Sequence, residues 1–351
     1  MTRLRVGVLG LSHDHVWSNL AAIAAGDQGV LAAVAEPDPR LRERLAREHG
    51  GAAALTDFAA LLERRDLDTI LCFTDNRASA EWGARALGRG FPVMVEKPMA
   101  ADLAGADALV AAARVAGRPL MVNWPTAWRP ALRHGVALVS GGAVGEPVQL
   151  AHRGGHRGPR EFGCSEQFCA WLYDPARNGG GALVDYCGYG GILARTLLGR
   201  PESVTAVAAH LRKKDLPSED NAVVVLRYPH ALATLEGSWT QIGGEPGFAF
   251  IVYGDTGTLI VHQPRPTHEG HKVGGGRVQI VRVDGSETIE PPELPAGERD
   301  GVSYFLARLR DGRPITGLCA PEVGRDVQEI LAAALESSAT GRTVALPPAR
   351  A

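Results

Sequence analysis

Two stretches of this chain hold side chains whose types and spacing suit chemistry. The first is Phe91-Pro92-Val93-Met94-Val95-Glu96-Lys97-Pro98. The apolar run Val93–Val95 reads as a buried strand that ends in two opposite charges and a proline. Charges at the end of a buried strand cost free energy unless they are used there. Pro98 fixes its own φ and pushes Lys97 toward extended geometry. The ammonium would then point off the carboxyl edge of a sheet, where open α/β sheets bind ligands. The plainer reading of Lys97 is a surface cation just past a strand. The second stretch opens with Gly179-Gly180-Gly181 and continues through Asp185 and Tyr189. Ala182–Leu198 reads as a helix, on which Asp185 and Tyr189, four apart, share a face. An acid and a phenol near a helix start suit proton handling. The same residues also read as a capped helix with Tyr189 packed.

The elements that must position these residues follow from the chain order. Leu4–Leu9 is a short apolar strand, Gly10-Leu11-Ser12-His13-Asp14-His15 a polar loop, and Val16–Ala25 a helix. Strand, tight loop, helix is the opening of a dinucleotide-binding βαβ unit, whose helix amino terminus is an anion site. Gly10 is the tight-turn glycine. Ser12 stands where the second glycine of the fingerprint belongs and His15 where the third belongs. Ser12 is small and can donate a hydrogen bond; His15 is bulky for close packing. His13, Asp14 and His15 tempt toward a metal, but neighbours in sequence do not share a helix face and no partner cluster stands out, so no metal is expected.

Val30–Ala35 ends in Glu36, an acid at the distance where the ribose hydroxyls of NAD are bound. A 2′-phosphate there would meet repulsion, which favours NAD over NADP, with Arg40 as the nearby counter-argument. The alternation continues through Pro39–Glu48, Ala52–Leu55, a short helix to Leu62, Thr69–Phe73, Arg77–Leu87, Val93–Val95, Asp102–Ala116 and Pro119–Val122. Strands alternating with helices mean a doubly wound parallel sheet. Thr74-Asp75-Asn76 and Glu96-Lys97-Pro98 then share the carboxyl edge with the glycine loop.

Asn123-Trp124-Pro125 is the expected hinge between a domain of residues 1–123 and a second of 124–351. In the second, His156 lies in a glycine-rich basic loop and is a candidate to face substrate, or simply an exposed polar residue. After Gly199, strand-like runs follow one another without helices from Val204 to Ile289, which predicts a mostly antiparallel sheet. Pro264–Gly276, with His268 and His271 and His262 just before it, reads as an irregular loop, not a ligand set.

Composition bounds the function. A chain of 351 residues with net charge −2 and interspersed signs shows no basic surface for nucleic acid. Five cysteines at irregular spacing argue against a disulfide framework or zinc site. No stretch is apolar and long enough for a bilayer, and no signal peptide is convincing, so a cytoplasmic chain is expected.

The Glu96-Lys97-Pro98 motif, the element order and the Gly-Gly-then-Asp segment resemble the Gfo/Idh/MocA oxidoreductases, named for glucose–fructose oxidoreductase, inositol dehydrogenase and rhizopine catabolism. The resemblance covers nearly the whole chain. It implies a Rossmann domain followed by an α+β domain with a large open sheet, through which several members form dimers or tetramers. It implies hydride transfer between NAD(P) and a hydroxyl of a sugar or cyclitol. Lys97 and Asp185 match the family's catalytic lysine and aspartate. Tyr189 occupies the place of its catalytic histidine. Trp171 would wall the nicotinamide. Gly10, Ser12, His13, Asp14, His15, Glu36, Thr74, Asn76, Glu96, Lys97 and Asn123 would contact the cofactor, and Lys97, His156, Asp185 and Tyr189 the substrate. Asp75 and Ser79 depart from the family's proline and histidine after the fourth strand. Two other functions fit the same residues. One is transient oxidation and elimination with retained NAD, the other a dinucleotide sensor without catalysis.

Overall fold

Aspartates start the helices of the amino-terminal half. Asp38, Asp57, Asp75 and Asp102 each accept a hydrogen bond from a backbone N–H two or three residues on. A cap of this kind contributes about 1 kcal/mol and satisfies a donor that the helix cannot. The computed structural model describes residues 2–242, 249–262 and 276–348.

The helices alternate with strands in the expected order: β1 (Leu4–Leu9), α1 (His15–Ala25), β2 (Gly29–Ala35), α2 (Pro39–Glu48), β3 (Ala53–Leu55), α3 (Phe58–Leu62), β4 (Thr69–Cys72), α4 (Asn76–Gly88), β5 (Val93–Glu96), α5 (Leu103–Ala116) and β6 (Leu120–Asn123). The six strands form one parallel sheet in the order β3-β2-β1-β4-β5-β6. The order reverses between β1 and β4, the switch point where such sheets take ligands. Strands β4, β5 and β6 are buried along their whole length, as continuous apolar runs covered on both faces must be.

The chain divides into two compact units, but not at one cut. The first holds residues 1–125 together with 164–179 and 295–325; the second holds 126–163, 180–294 and 326–351. A division at 123/124 therefore describes the end of the first segment and omits two later ones. Short helices at Pro159–Phe162, Glu166–Leu172 and Pro175–Asn178 also went unanticipated, because each is too short to show a periodicity.

The second unit is built on nine strands: β7 (Pro147–Gly155), β8 (Ser203–Ala209), β9 (Asn221–Arg227), β10 (Leu232–Ser238), β11 (Phe250–Gly254), β12 (Thr258–His262), β13 (Arg277–Arg282), β14 (Gly285–Ile289) and β15 (Val344–Ala345). Their order is β14-β13-β12-β11-β7-β10-β9-β8-β15. Every pair is antiparallel except β7 with β10. Residues alternate between a buried and an open face: in β9, Ala222, Val224 and Leu226 are buried while Val223 and Val225 are exposed. Helix α6 (Pro130–Ser140) lies close on the buried face at Gly135, where a Cβ would sit 2.5 Å from Val261. The loop with His268 and His271 lies outside the described residues. Among the described residues, no helix is long and apolar enough to cross a membrane.

His152 of β7 points into this core. Burial, and after it the charge of Arg129, brings its imidazole down to about 4. In the unfolded chain the ring titrates near 6.5. Between those values the unfolded chain binds a proton that the folded one does not, so stability falls as pH drops through this window. The loss from this group reaches about 3 kcal/mol at pH 4. Replacing His152 with leucine is expected to flatten the pH dependence of the urea midpoint between pH 7 and pH 4.5, whatever it does at pH 7; an unchanged slope would refute the assignment.

Candidate active site

The first unit gathers its polar side chains along the carboxyl edge of the parallel sheet. Gly10 follows β1 with φ of +81°, and a Cβ there would lie 2.4 Å from the Thr74 side chain and 3.0 Å from the Thr74 backbone N. Only glycine fits so sharp a turn that close to the end of β4. The loop after it leads into α1. At the end of β2, the Glu36 carboxylate accepts the Leu11 N–H at 2.6 Å and the Asp38 N–H at 2.7 Å. Burial pushes its pKa upward; the two N–H groups act in the opposite sense. Arg40 is turned to Asp38, its Nη2 3.2 Å from the carboxylate, and Arg42 donates to the carbonyls of Glu36 and Pro37. The residues thus fit a dinucleotide: a glycine turn, a helix amino terminus, and an acid at the end of the second strand.

Glu96 is the hub of the edge. It is 2% exposed. One carboxylate oxygen accepts Asn123 Nδ2 at 2.6 Å, and the other lies 3.0 Å from His15 Nδ1. Glu96 and Asn123 are register partners on β5 and β6. Lys97, next in the chain, is buried and joined to Pro98 by a cis peptide bond. Thr74 shares a hydrogen bond with Ser79 at 2.8 Å, so the serine in place of the family's histidine closes the β4–α4 turn.

The segment 164–179 accounts for several residues expected to touch a cofactor. Asp14 accepts the Ser165 N–H at 2.7 Å and its hydroxyl at 2.6 Å. Trp171 Nε1 donates to the Ser12 carbonyl at 3.1 Å. Asn76 donates to Asn178 Oδ1 at 2.7 Å, and Arg177 donates to Asp75 at 2.8 Å. His13 is buried among Phe73, Phe168, Trp171 and His15. Burial, and then the charges of His15 and Lys97, hold its pKa well below the ordinary value, so the ring is neutral. The side chains of Asp14 and Asn76 are thus engaged in holding this segment. The expectation that His13 and His15 lack a partner cluster needs correction. The fold brings Glu96 to them, with one ligand-capable atom of each of the three within 4.8 Å of the others. The partner lies 81 residues away in sequence, where spacing rules do not reach.

In the second unit, the expected continuous helix opens instead with one turn of π-helix, Leu183–Cys187, before the α-helix Gly188–Leu198. Its start is held by Glu219, whose carboxylate accepts the Gly181 and Leu183 N–H groups at 2.7 and 3.0 Å. A Cβ at Gly181 would lie 2.0 Å from the Glu219 carbonyl, which explains a glycine there. Asp185 is buried and accepts Trp239 Nε1 at 2.9 Å. Trp239 in turn donates its backbone N–H to the Asp220 carbonyl. Burial raises the Asp220 carboxyl, but the N–H groups of Leu211, Lys213 and Arg212 outweigh it and bring it to about 2. Tyr186 and Tyr189 are half-buried with ring centroids 6.1 Å apart, and the His156 ring stands edge-on to Tyr186 at 5.3 Å.

Tyr186, Trp239, Glu219 and Ser165 were missed by sequence reasoning. A signal for Tyr186 existed. Gly154 and Gly237 interrupt two strands and are register partners on β7 and β10. Paired glycines inside strands mark close backbone approach. A Cβ at Gly154 would lie 2.6 Å from the Tyr186 ring, and one at Gly237 2.6 Å from the Ala182 carbonyl.

Comparison with known proteins covers both units. Residues 4–124 match the model of the oxidoreductase family with an NAD-binding Rossmann fold, and residues 133–260 match the GFO/IDH/MocA C-terminal domain. A dTDP-3,4-didehydro-2,6-dideoxy-alpha-D-glucose 3-reductase from Streptomyces violaceoruber is 33% identical over 321 residues, 88% of this chain and 85% of that protein. An inositol 2-dehydrogenase from Streptomyces avermitilis is 32% identical over 42% of this chain and 43% of that protein. Among solved structures, an aldose-aldose oxidoreductase from Caulobacter crescentus complexed with glycerol has the same fold, with TM-score 0.80, 23% identity and 98% of this chain and all of that one covered. A 3-ketoreductase from Actinomadura kijaniata in complex with TDP-benzene and NADP gives TM-score 0.74 at 25% identity, over 96% of this chain and 98% of that one.

Glu36, at the end of β2, is the acid that the sequence reading expects at the ribose hydroxyls of NAD. Glu36→Ala is expected to weaken NAD binding at least about tenfold while NADP binding holds or rises. Titration of intrinsic fluorescence with each dinucleotide checks this; an unchanged NAD affinity would remove Glu36 from the cofactor site.

Proposed function

The chain belongs to the Gfo/Idh/MocA oxidoreductase family, and from that premise we propose that it moves a hydride between NAD and a carbon bearing a hydroxyl or keto group on a sugar, cyclitol or related polyol. The observation that supports this reading is the dinucleotide-fitted sheet edge of the first unit, ending in Glu96 and Lys97; in the second unit, Asp185 on a π-turn and Tyr189 at the start of the following α-helix are the candidates for proton handling. NAD supplies the hydride acceptor, or in reduced form the donor.

Lys97 binds the reacting oxygen and polarises it. Tyr189 carries the proton that this oxygen loses on oxidation and regains on reduction. A phenol has a reference pKa of about 10 and works as a base near neutrality only beside a cation. Asp185, with one carboxylate oxygen taken by Trp239, orients the turn and passes a proton through water. Lys97→Ala is expected to abolish turnover while NAD still binds, and Tyr189→Phe to lower kcat by at least ~10²-fold, the usual size of a lost acid–base group. Steady-state rates and NAD titration on the same preparations separate the two effects, and near-wild-type turnover in Lys97→Ala would sink the assignment.

We also propose that the chain self-associates through the open face of the nine-stranded sheet, as a dimer or tetramer. Val207, Val223, Val225, Tyr253 and Val281 all stand exposed on strands of that sheet. Exposed apolar side chains on several strands of one sheet suit an interaction surface. Val223→Glu with Val225→Glu is expected to shift the species seen by sedimentation velocity toward a monomer; an already monomeric wild type would overturn this part of the reading.

A further inference from the structure

His13, His15 and Glu96 all belong to the first unit, and one metal-ligating atom of each lies within 4.8 Å of the other two. His13 comes from the loop after β1, His15 from the first turn of α1, and Glu96 from the end of β5. His15 Nδ1 and the Glu96 carboxylate are 3.0 Å apart. Two ligands of a tetrahedral zinc ion, each about 2.0 Å from the metal, stand about 3.3 Å from one another. This pair is therefore already near ligand spacing. His13 is 1% exposed, and its Nδ1 accepts the His15 N–H at 3.3 Å. Its other ring nitrogen has no hydrogen-bond partner among the described residues.

An ordinary contact between His15 and Glu96 explains two of these residues. It does not explain a second, buried imidazole with a nitrogen to spare beside them. The surroundings also fit a metal centre, where ligands are oriented by further hydrogen bonds and an apolar shell limits water. Asn123 Nδ2 donates at 2.6 Å to the Glu96 oxygen that does not face His15. The rings of Phe73, Phe168 and Trp171 pack around His13. We propose that His13, His15 and Glu96 bind a divalent transition-metal ion, zinc above all, which joins the loop after β1 to the end of β5. Two imidazoles and one carboxylate suit zinc, cobalt or nickel; magnesium and calcium take oxygen ligands. On binding, His15 Nδ1 releases to solvent the proton it shares with Glu96 and gives its lone pair to the metal. Three protein donors leave the fourth position of a tetrahedral ion to water or another small ligand. Lys97 follows Glu96 in the chain, and its charge opposes a second cation nearby, so binding is weaker than at a structural site with four ligands. The inference asks nothing of NAD or of a sugar, and so goes beyond the hydride-transfer reading.

The test uses the full chain without a purification tag, stripped of metal with a chelator and free of NAD. Zinc, cobalt(II) and magnesium chlorides are titrated by calorimetry. Cobalt is also followed by visible absorption, because its d–d bands strengthen when the ion leaves octahedral water for a tetrahedral protein site. Zinc and cobalt are expected to bind with strong cobalt bands, and magnesium at least about tenfold more weakly than zinc. His15→Gln and Glu96→Gln are each expected to weaken zinc at least about tenfold and to remove the bands. Circular dichroism on each variant checks folding; should Glu96→Gln fail to fold, His15→Gln, at a half-buried position, decides alone. Three results would overturn the site: no strengthened cobalt bands in the wild-type chain, zinc binding unchanged in His15→Gln, or magnesium binding as tightly as zinc. Turnover of sugars or cyclitols with NAD, measured on the metal-free protein, decides the hydride-transfer reading separately, and neither outcome there alters what the titrations say of the metal.

Discussion

The buried carboxylate of Glu96 is the constraint on which the first unit's chemistry depends. A charge taken from water at the end of an internal strand must be met by hydrogen bonds or paired charge. The structure meets it from two directions, with Asn123 from the neighbouring strand and His15 from the first turn of α1. The ends of β5 and β6 and the start of the first helix are thereby held as one piece. His15 could not be a glycine and do this. The altered fingerprint is therefore a coupled feature, in which bulk at the third glycine position serves to reach the acid of the Glu-Lys-Pro motif. The neutral ring of His13 completes the arrangement by filling the space under Trp171 and Phe168 without adding charge beside Lys97.

The second unit solves a related problem with backbone rather than charge. Asp185 is buried and needs a donor, which Trp239 supplies. To bring the acid to that indole, the helix begins with a π-turn pressed against the sheet. The approach is possible only because Gly154, Gly237 and Gly181 lack side chains at the points of contact. Tyr186 and Tyr189, three residues apart, stand beside each other at this helix start, as i, i+3 neighbours do. The turn thus places three polar side chains in a row near one helix start.

Much of this was legible in the residues. Apolar runs separated by Asp-capped helices predicted the parallel sheet, because a strand buried on both faces has to be apolar throughout and its crossover has to be a helix. Lys97 could be singled out since a charge directly after such a run is costly. The short helices between Pro159 and Asn178 were not legible, since one turn carries no periodicity. Nor was the engagement of Asp14 by Ser165 or of Asn76 by Asn178, because partners more than a hundred residues apart leave no local trace. Here the loop residues expected to face a cofactor turned out to have side chains holding a distant segment.

The sequence alone determined the element order and the place of the glycine turn, and it singled out Glu36, Lys97, Asp185 and Tyr189 as the candidates for cofactor binding and proton chemistry. These follow from local causes: steric limits on φ, the burial pattern of a strand, and the pKa range of each side chain. Tertiary structure decided which of the polar residues are spent on holding the fold and which are presented for chemistry. It brought Glu96 to His15, Trp239 to Asp185 and His156 to Tyr186. Those pairings arise because buried polar groups must find partners wherever the fold supplies them, and supply is a matter of distance in space, on which order along the chain is silent.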